Sequence, residues 1–281
     1  MHTKSSMDQS NGIGLVAALP EDPFLPTAAD DGRIRVLGHR GAPALDRPEN
    51  SVAAVVEALL LGADGVEIDV RLTADDVLVC AHDEFAHTRS GMRQAVTAGL
   101  SGDLVDATGR EPLATLAEVL AAVPAGSQVV VEVKPVADAV RAERTAQVLA
   151  DVLRSAAGCG EITVSSFDVD LLGVIRAACA DLPVRTALLG NKTDDVALIV
   201  RRASTDGHDE VHLPLAAVRH APQVVETAHR LGLSVALWTV TRRAELQSVA
   251  ELGVDAVITD DVLTAWSELD RTATGREMVA A

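Results

Sequence analysis

Five short polar motifs lie inside or beside apolar, β-branched runs: Gly38-His39-Arg40-Gly41, Pro48-Glu49-Asn50, Glu67-Ile68-Asp69, Ala81-His82-Asp83 and Glu132-Val133-Lys134. Charge at the end of a hydrophobic strand is costly unless something compensates it. Side chains of an extended chain alternate, so in Val66-Glu67-Ile68-Asp69-Val70 both carboxylates share one face and the apolar residues the other. Val131-Glu132-Val133-Lys134 repeats the pattern. Where the two runs end on one rim, Glu67, Asp69 and Glu132 converge and need a cation to do so. Oxygen-only ligands suit one Mg²⁺ or Ca²⁺ rather than a soft metal. The competing reading of each run is a half-exposed strand with a solvated polar face; two such runs at strand ends favour the metal.

His39 and His82 are the acid–base candidates, because imidazole titrates near neutrality. Cleaving a phosphodiester needs one group to take a proton from the nucleophile and another to give one to the leaving oxygen. Either histidine alone also reads as a hydrogen-bonded structural residue. Arg40 offers a planar fork that matches a phosphate bidentately, and Gly41 lets the backbone approach a ligand closely. Trp238, in Val235-Ala236-Leu237-Trp238-Thr239, reads either as core or as a wall of a substrate pocket. The remaining histidines lack a partner motif and read as surface or packing residues.

Such residues need a regular scaffold to bring them together. From residue 34 onward, apolar runs at 34–39, 65–71, 128–134, 161–167, 184–189, 209–213, 234–240 and 255–259 read as strands. Stretches of helical period fall at about 50–62, 115–123, 138–157, 169–180, 194–204, 221–231, 242–252 and 261–269. Eight strand–helix units in succession imply a (β/α)8 TIM barrel. A doubly wound open sheet is the alternative, but no Gly-x-Gly-x-x-Gly turn follows the first strand. The run Val77–His82 comes too soon after Asp69 for a helical crossover, so it should fold back as an antiparallel hairpin arm. The stretch 83–113 continues that excursion without a clear period. In such a barrel the active site lies at the C-terminal ends of the strands, and His39, Glu67, Asp69, Glu132, Lys134, Trp238 and Asp260 all fall there.

Residues 1–33 read as a flexible lead-in, 34–270 as the barrel and 271–281 as a tail. Hydrophobic residues make up 48% of the 281 and aromatics only 2%, so the core must be Val, Leu, Ile and Ala. A net charge of -17 argues against nucleic acid or anionic membranes as partners. It also repels a phosphodiester at long range, leaving capture to local cations or a metal. Cys80, Cys159 and Cys179 are odd in number and lack metal or redox spacing, so they read as free buried thiols in a reducing compartment. No apolar run reaches the roughly 18–20 residues of a membrane span, and 12–19 makes a poor signal peptide. The expectation is a cytoplasmic protein.

His39-Arg40-Gly41, Pro48-Glu49-Asn50-Ser51, Glu67-Ile68-Asp69-Val70, Val79 through His82-Asp83, Glu132-Val133-Lys134, Ser165-Ser166-Phe167, Leu237-Trp238-Thr239 and Ile258-Thr259-Asp260 occur in an order and spacing that resembles glycerophosphodiester phosphodiesterases. The resemblance spans roughly residues 34–265. It implies a barrel enzyme that hydrolyses small glycerophosphodiesters to sn-glycerol 3-phosphate and an alcohol. It also implies His39 and His82 as the acid–base pair and Glu67, Asp69 and Glu132 as metal ligands, with Glu49 at or beside the metal. Arg40 and Lys134 become phosphate contacts and Trp238 a substrate-pocket residue.

Some positions depart from the pattern. Asp76 stands where the hairpin turn usually carries Gly, Thr241 replaces an Asn, Val262 replaces a Pro, and Thr88-Arg89-Ser90-Gly91 is out of step. These bear on alcohol specificity more than on activity. Two other readings compete: a phospholipase D-type hydrolase of lipid head groups, which would favour an apolar insertion loop, and a non-catalytic phosphodiester-binding barrel. Both histidines and every proposed ligand are present, which argues against the latter.

Overall fold

The computed structural model describes residues 33–43, 47–106, 109, 111–156, 158 and 160–277, with side chains to 269. The lead-in expected over 1–33 and the thiol of Cys159 therefore lie outside the described residues, Arg33 excepted.

Strand β1 (Arg35–His39) leads through helix α1 (Val52–Leu60) to β2 (Gly65–Leu72). The two strands pair in parallel, with His39 opposite Glu67. After β2 the chain turns back into β3 (Leu78–Cys80), which lies antiparallel on β2 as the hairpin reading expects. Asp76 in that turn adopts φ +61°, the left-handed conformation that glycine takes without strain, and Arg144 holds its carboxylate at 2.9 Å.

The stretch 83–113 is more ordered than its pattern suggests. Strands β4 (Phe85–Thr88), β5 (Arg93–Ala95) and β6 (Leu104–Val105) form a small antiparallel sheet of their own in the order β5-β4-β6. These strands are two to four residues long, and β4 alternates between exposed and half-buried positions. Segments that short leave no periodic signal.

The barrel then continues through α2 (Leu116–Ala122), β7 (Gln128–Val133), α3 (Ala139–Ser155), β8 (Glu161–Ser166), α4 (Val169–Ala178), β9 (Val184–Leu189) and α5 (Val196–Asp206). It finishes with β10 (Glu210–Pro214), α6 (Leu215–His220), α7 (Gln223–Arg230), β11 (Ser234–Trp238), α8 (Arg243–Val249), β12 (Ala256–Thr259) and α9 (Val262–Glu277). Parallel pairing runs β1-β2-β7-β8-β9-β10-β11-β12 and back to β1, so the sheet closes and the doubly wound alternative is excluded. The helix expected over 221–231 is preceded by a separate one, because Pro222 has no N–H to continue α6. The last helix runs to Glu277, well into the expected tail.

Alternation in the strands sorts the core into two shells. Val66, Ile68, Val70, Val129, Val131 and Val133 face the helices and are almost wholly buried. Each such side chain contributes about 1.5–3 kcal/mol on burial. The opposite face looks into the barrel, where Leu37, Val130, Ala236, Ala256 and Ile258 form a small apolar plug.

Beneath the plug the barrel floor is polar. Arg35 bridges Gln128 and Glu161, while Glu210 accepts from Thr163 at 2.9 Å and contacts Arg185 and the buried His212 ring. Against the cost of its burial, His212, Arg185 and Thr163 hold the Glu210 carboxyl down at about 2. His212 is thus a packing residue, as its lack of a partner motif suggests. Cys80 and Cys179 are free and buried. Among the described residues, no helix is long and apolar enough to cross a membrane.

Candidate active site

The polar motifs gather at the C-terminal mouth of the barrel. Glu67 and Asp69 are inward positions of β2, and Glu132 is the inward position of β7 that pairs with Asp69. Carboxylate oxygens of all three approach within 4.8 Å of one another, the expected convergence. Glu67 is 4% exposed and Asp69 1%.

The three carboxyls differ in environment. Burial, with Asp69 and Glu132 beside it, pushes Glu67 well above the usual carboxylate range. Its Oε2 accepts the backbone N–H of Arg40 at 3.2 Å, whereas its Oε1 is buried without a partner. Asp69 is also buried, but Lys134, Arg40 and Asn50 overcome that cost and hold it below the usual range. Lys134 Nζ lies 2.6 Å from Asp69 Oδ1 and also donates to Glu132. Burial outweighs this ammonium at Glu132, which is pushed up. Lys134 contacts two of the three carboxylates and Arg40 pairs with Asp69, so Glu67 Oε1, without a hydrogen-bond partner among the described residues, marks where further positive charge fits. A hard divalent cation matches that donor set.

Asn50 completes the wall, and the sequence reading did not single it out as a site residue. Its Nδ2 donates to Asp69 Oδ2 and its Oδ1 accepts from the Asp69 backbone N–H, both at 2.9 Å. Asn50 sits at φ +58° and Arg40 at φ +56°, two strained non-glycine residues facing one another across the Asn50 N–H to Arg40 carbonyl bond. The next residue, Ser51, caps α1 by accepting the Ala54 N–H, so the Pro48–Ser51 motif both starts a helix and turns Asn50 inward. A Cβ at Gly41 would fall 2.5 Å from the Ala54 carbonyl carbon, so the missing side chain makes room for α1.

Arg40 and Glu49 form an ion pair at the rim. Arg40 Nη1 donates to both oxygens of Glu49 at 3.0 Å, and its Nε lies 3.2 Å from Asp69 as an ion pair without an aligned hydrogen bond. Glu49 is more exposed than the triad and stands outside it, joined through Arg40. Together with His39, Pro43 and Asp260 they line a cavity of about 360 Å³.

His39 is oriented by a residue from the far end of the chain. Its Nδ1 lies 2.6 Å from Asp260 Oδ1, and that contact, against partial burial, holds the Asp260 carboxyl below its usual range. An ionised carboxylate only accepts, so Nδ1 is the donor in this contact. The other ring nitrogen, Nε2, lies 3.9 Å from Glu67 Oε2. Thr241, one of the departures from the pattern, reaches Asp260 Oδ2 at 3.4 Å and braces it. The pairing of β1 with β12 is what brings His39 and Asp260 together. His82 follows β3 on the other side of the triad. Its Nδ1 is 2.9 Å from Asp83, and its ring is near enough to Glu132 to favour the ionised form of that carboxyl.

Trp238 is placed by packing contacts at the edge of the core. It packs on the barrel plug, donates from Nε1 to the His212 carbonyl at 3.2 Å, and meets Phe167 edge-on with ring centres 5.8 Å apart. It remains half-buried at the mouth and outside the cavity lined by His39 and Arg40.

The profile of the glycerophosphoryl diester phosphodiesterase family matches residues 39–264. A probable glycerophosphodiester phosphodiesterase 1 from Mycobacterium tuberculosis is 33% identical over 250 residues, covering 78% of this chain and 86% of the relative. Among solved structures, a putative glycerophosphoryl diester phosphodiesterase from Silicibacter pomeroyi superposes with a TM-score of 0.71 at 22% identity, over 86% of this chain and 94% of that one. An Oleispira antarctica phosphodiesterase, solved with the product sn-glycerol-3-phosphate, gives a TM-score of 0.70 at 20% identity, over 85% and 98%. These two structures share the barrel fold, and the profile and the mycobacterial relative extend the match to sequence. The chain belongs to the glycerophosphoryl diester phosphodiesterase family.

Proposed function

We propose that this enzyme hydrolyses glycerophosphodiesters to sn-glycerol 3-phosphate and an alcohol, in a reaction that depends on one Mg²⁺ or Ca²⁺. The observation that carries this reading is the buried triad of Glu67, Asp69 and Glu132, in which Glu67 Oε1 has no hydrogen-bond partner among the described residues and Oε2 lies 3.9 Å from the His39 ring. These three carboxylates hold the ion, and Glu49 stands at the edge of the site. Bound there, a divalent ion supplies Lewis acidity and charge neutralisation at the phosphoryl oxygens. Family membership favours this substrate class over lipid head groups.

The chain's own residues do the rest. Arg40 and Lys134 are the cations at the rim, and they receive the phosphate oxygens. His39, with a proton held on Nδ1 by Asp260, takes a proton at Nε2 from the attacking water as the water oxygen bonds to phosphorus. His82, more exposed and on the opposite side of the triad, gives a proton to the leaving alcohol oxygen as its bond to phosphorus breaks. Trp238 and Phe167 form an apolar wall for the carbon skeleton.

Release of glycerol 3-phosphate from a panel of glycerophosphodiesters, with and without EDTA, tests the reading. Activity should vanish in chelator and return with Mg²⁺ or Ca²⁺ but not with monovalent salt. Full turnover by metal-free enzyme would remove the metal from the account, and no release from any member of the panel would remove the substrate class.

A further inference from the structure

Arg71 continues the inward face of β2 above Glu67 and Asp69, in a mouth crowded with carboxylates. Burial lowers its guanidinium from the usual range, even though Asp69, Glu84, Glu132 and Asp83 all face it. An arginine so placed would be expected to fork onto one of them. It makes no ion pair within 4.0 Å among the described residues. Both of its hydrogen bonds go to one backbone atom: Nη2 and Nε donate to the His82 carbonyl at 2.9 and 3.3 Å. One residue earlier, the Ala81 N–H donates to the Asp69 carbonyl at 3.0 Å. The strand that carries two of the triad carboxylates thus grips the His82 segment at two successive residues, once through backbone and once through a rigid side chain.

His82 needs such a grip. It lies beyond the end of β3, and among the described residues its ring has one hydrogen-bond and ion-pair partner, Asp83, whose side chain is 81% exposed. We infer that Arg71 is a positioning residue, whose fork on the His82 carbonyl sets the His82 ring against the triad for proton delivery to the leaving alcohol. This rests on the proposed role of His82 as the acid. A guanidinium presents two N–H groups in one plane and fixes the carbonyl's direction, which a single ammonium does not. Displacing a catalytic group by about 1 Å costs about a hundredfold in rate.

The test compares two substrates within each preparation: glycerophosphoethanol, whose alkoxide cannot leave without a proton, and the p-nitrophenyl ester of glycerol 3-phosphate, whose phenolate can. The ratio of their turnover numbers is independent of the fraction of protein folded. His82→Ala should lose at least about tenfold more activity on the ethyl than on the p-nitrophenyl substrate. Arg71→Ala should bias the ratio in the same direction, chiefly in kcat, and Arg71→Lys should recover part of it. If His82→Ala shows the bias and Arg71→Ala loses both activities equally, Arg71 acts on phosphate or triad directly and the positioning role is overturned. If His82→Ala itself shows no bias, the acid assignment falls and the inference with it.

Discussion

At the scale of single residues, the site works by giving chemically similar groups different surroundings. His39 is held by Asp260 at 2.6 Å, while His82 lies beyond the end of the short strand β3. Replacing His39 or His82 by Ala should each lower turnover by about 10²–10⁴. In the proposed acid–base pair the two act as a unit, so the double variant should be little worse than either single. Asp260→Asn keeps size but removes the charge that holds the proton on Nδ1, so it should also slow turnover, by less than His39→Ala does. Steady-state release of glycerol 3-phosphate measures all of these, and wild-type turnover in Asp260→Asn would detach Asp260 from His39 function.

At the scale of elements, close strand and helix approaches set the geometry. A Cβ on Gly38 would fall 2.3 Å from the Gly41 carbonyl oxygen and 2.9 Å from Ala58. Gly38→Ala should therefore destabilise the fold by about 1–3 kcal/mol and disturb the adjacent His39, as urea unfolding and turnover would show; unchanged stability would contradict so tight a packing of β1 on α1.

The barrel floor gives a pH signature. Glu210 is held at about 2, against an ordinary 4.5, so its pairing contributes stability above 4.5 that is lost as pH falls toward 2. Glu210→Gln should be less stable than wild type near neutrality, with the gap narrowing across that window, as unfolding midpoints at each pH would show. A gap that stays constant down to 2 would mean that Glu210 is not specially paired.

The same scale explains what was legible in the sequence. Glu67, Asp69 and Glu132 were readable because alternation fixes which face a strand residue takes. Asp260 was placed only at the rim, since its pairing with His39 depends on barrel closure across 221 residues. Asn50 lies in the Pro48–Ser51 motif but was given no role, because its bonds to Asp69 form only once the loop is folded inward, and Arg71 was missed because it acts on the His82 carbonyl, which no residue pattern announces. The small sheet of β4, β5 and β6 was missed because its strands are too short to show a period.

At the scale of the whole molecule, the fold holds carboxylates together at a cost that a cation relieves. Burial and its two acidic neighbours push Glu67 up, and Lys134 serves Asp69 and Glu132 but leaves one Glu67 oxygen unpartnered. Metal binding at this cluster should therefore be visible as added stability, without any assay of activity. The decisive measurement is the melting temperature of chelator-treated wild type and Glu67→Gln, each with and without Mg²⁺ or Ca²⁺. Free metal at about a hundredfold above its Kd should stabilise wild type by about 2.7 kcal/mol, a rise on the order of 5–10 °C. Metal-free Glu67→Gln should melt at or above metal-free wild type, because one buried negative charge is gone, and should lose most of the metal-induced rise. An equal rise in both proteins, or none in either, would contradict a divalent-ion site built on Glu67, Asp69 and Glu132.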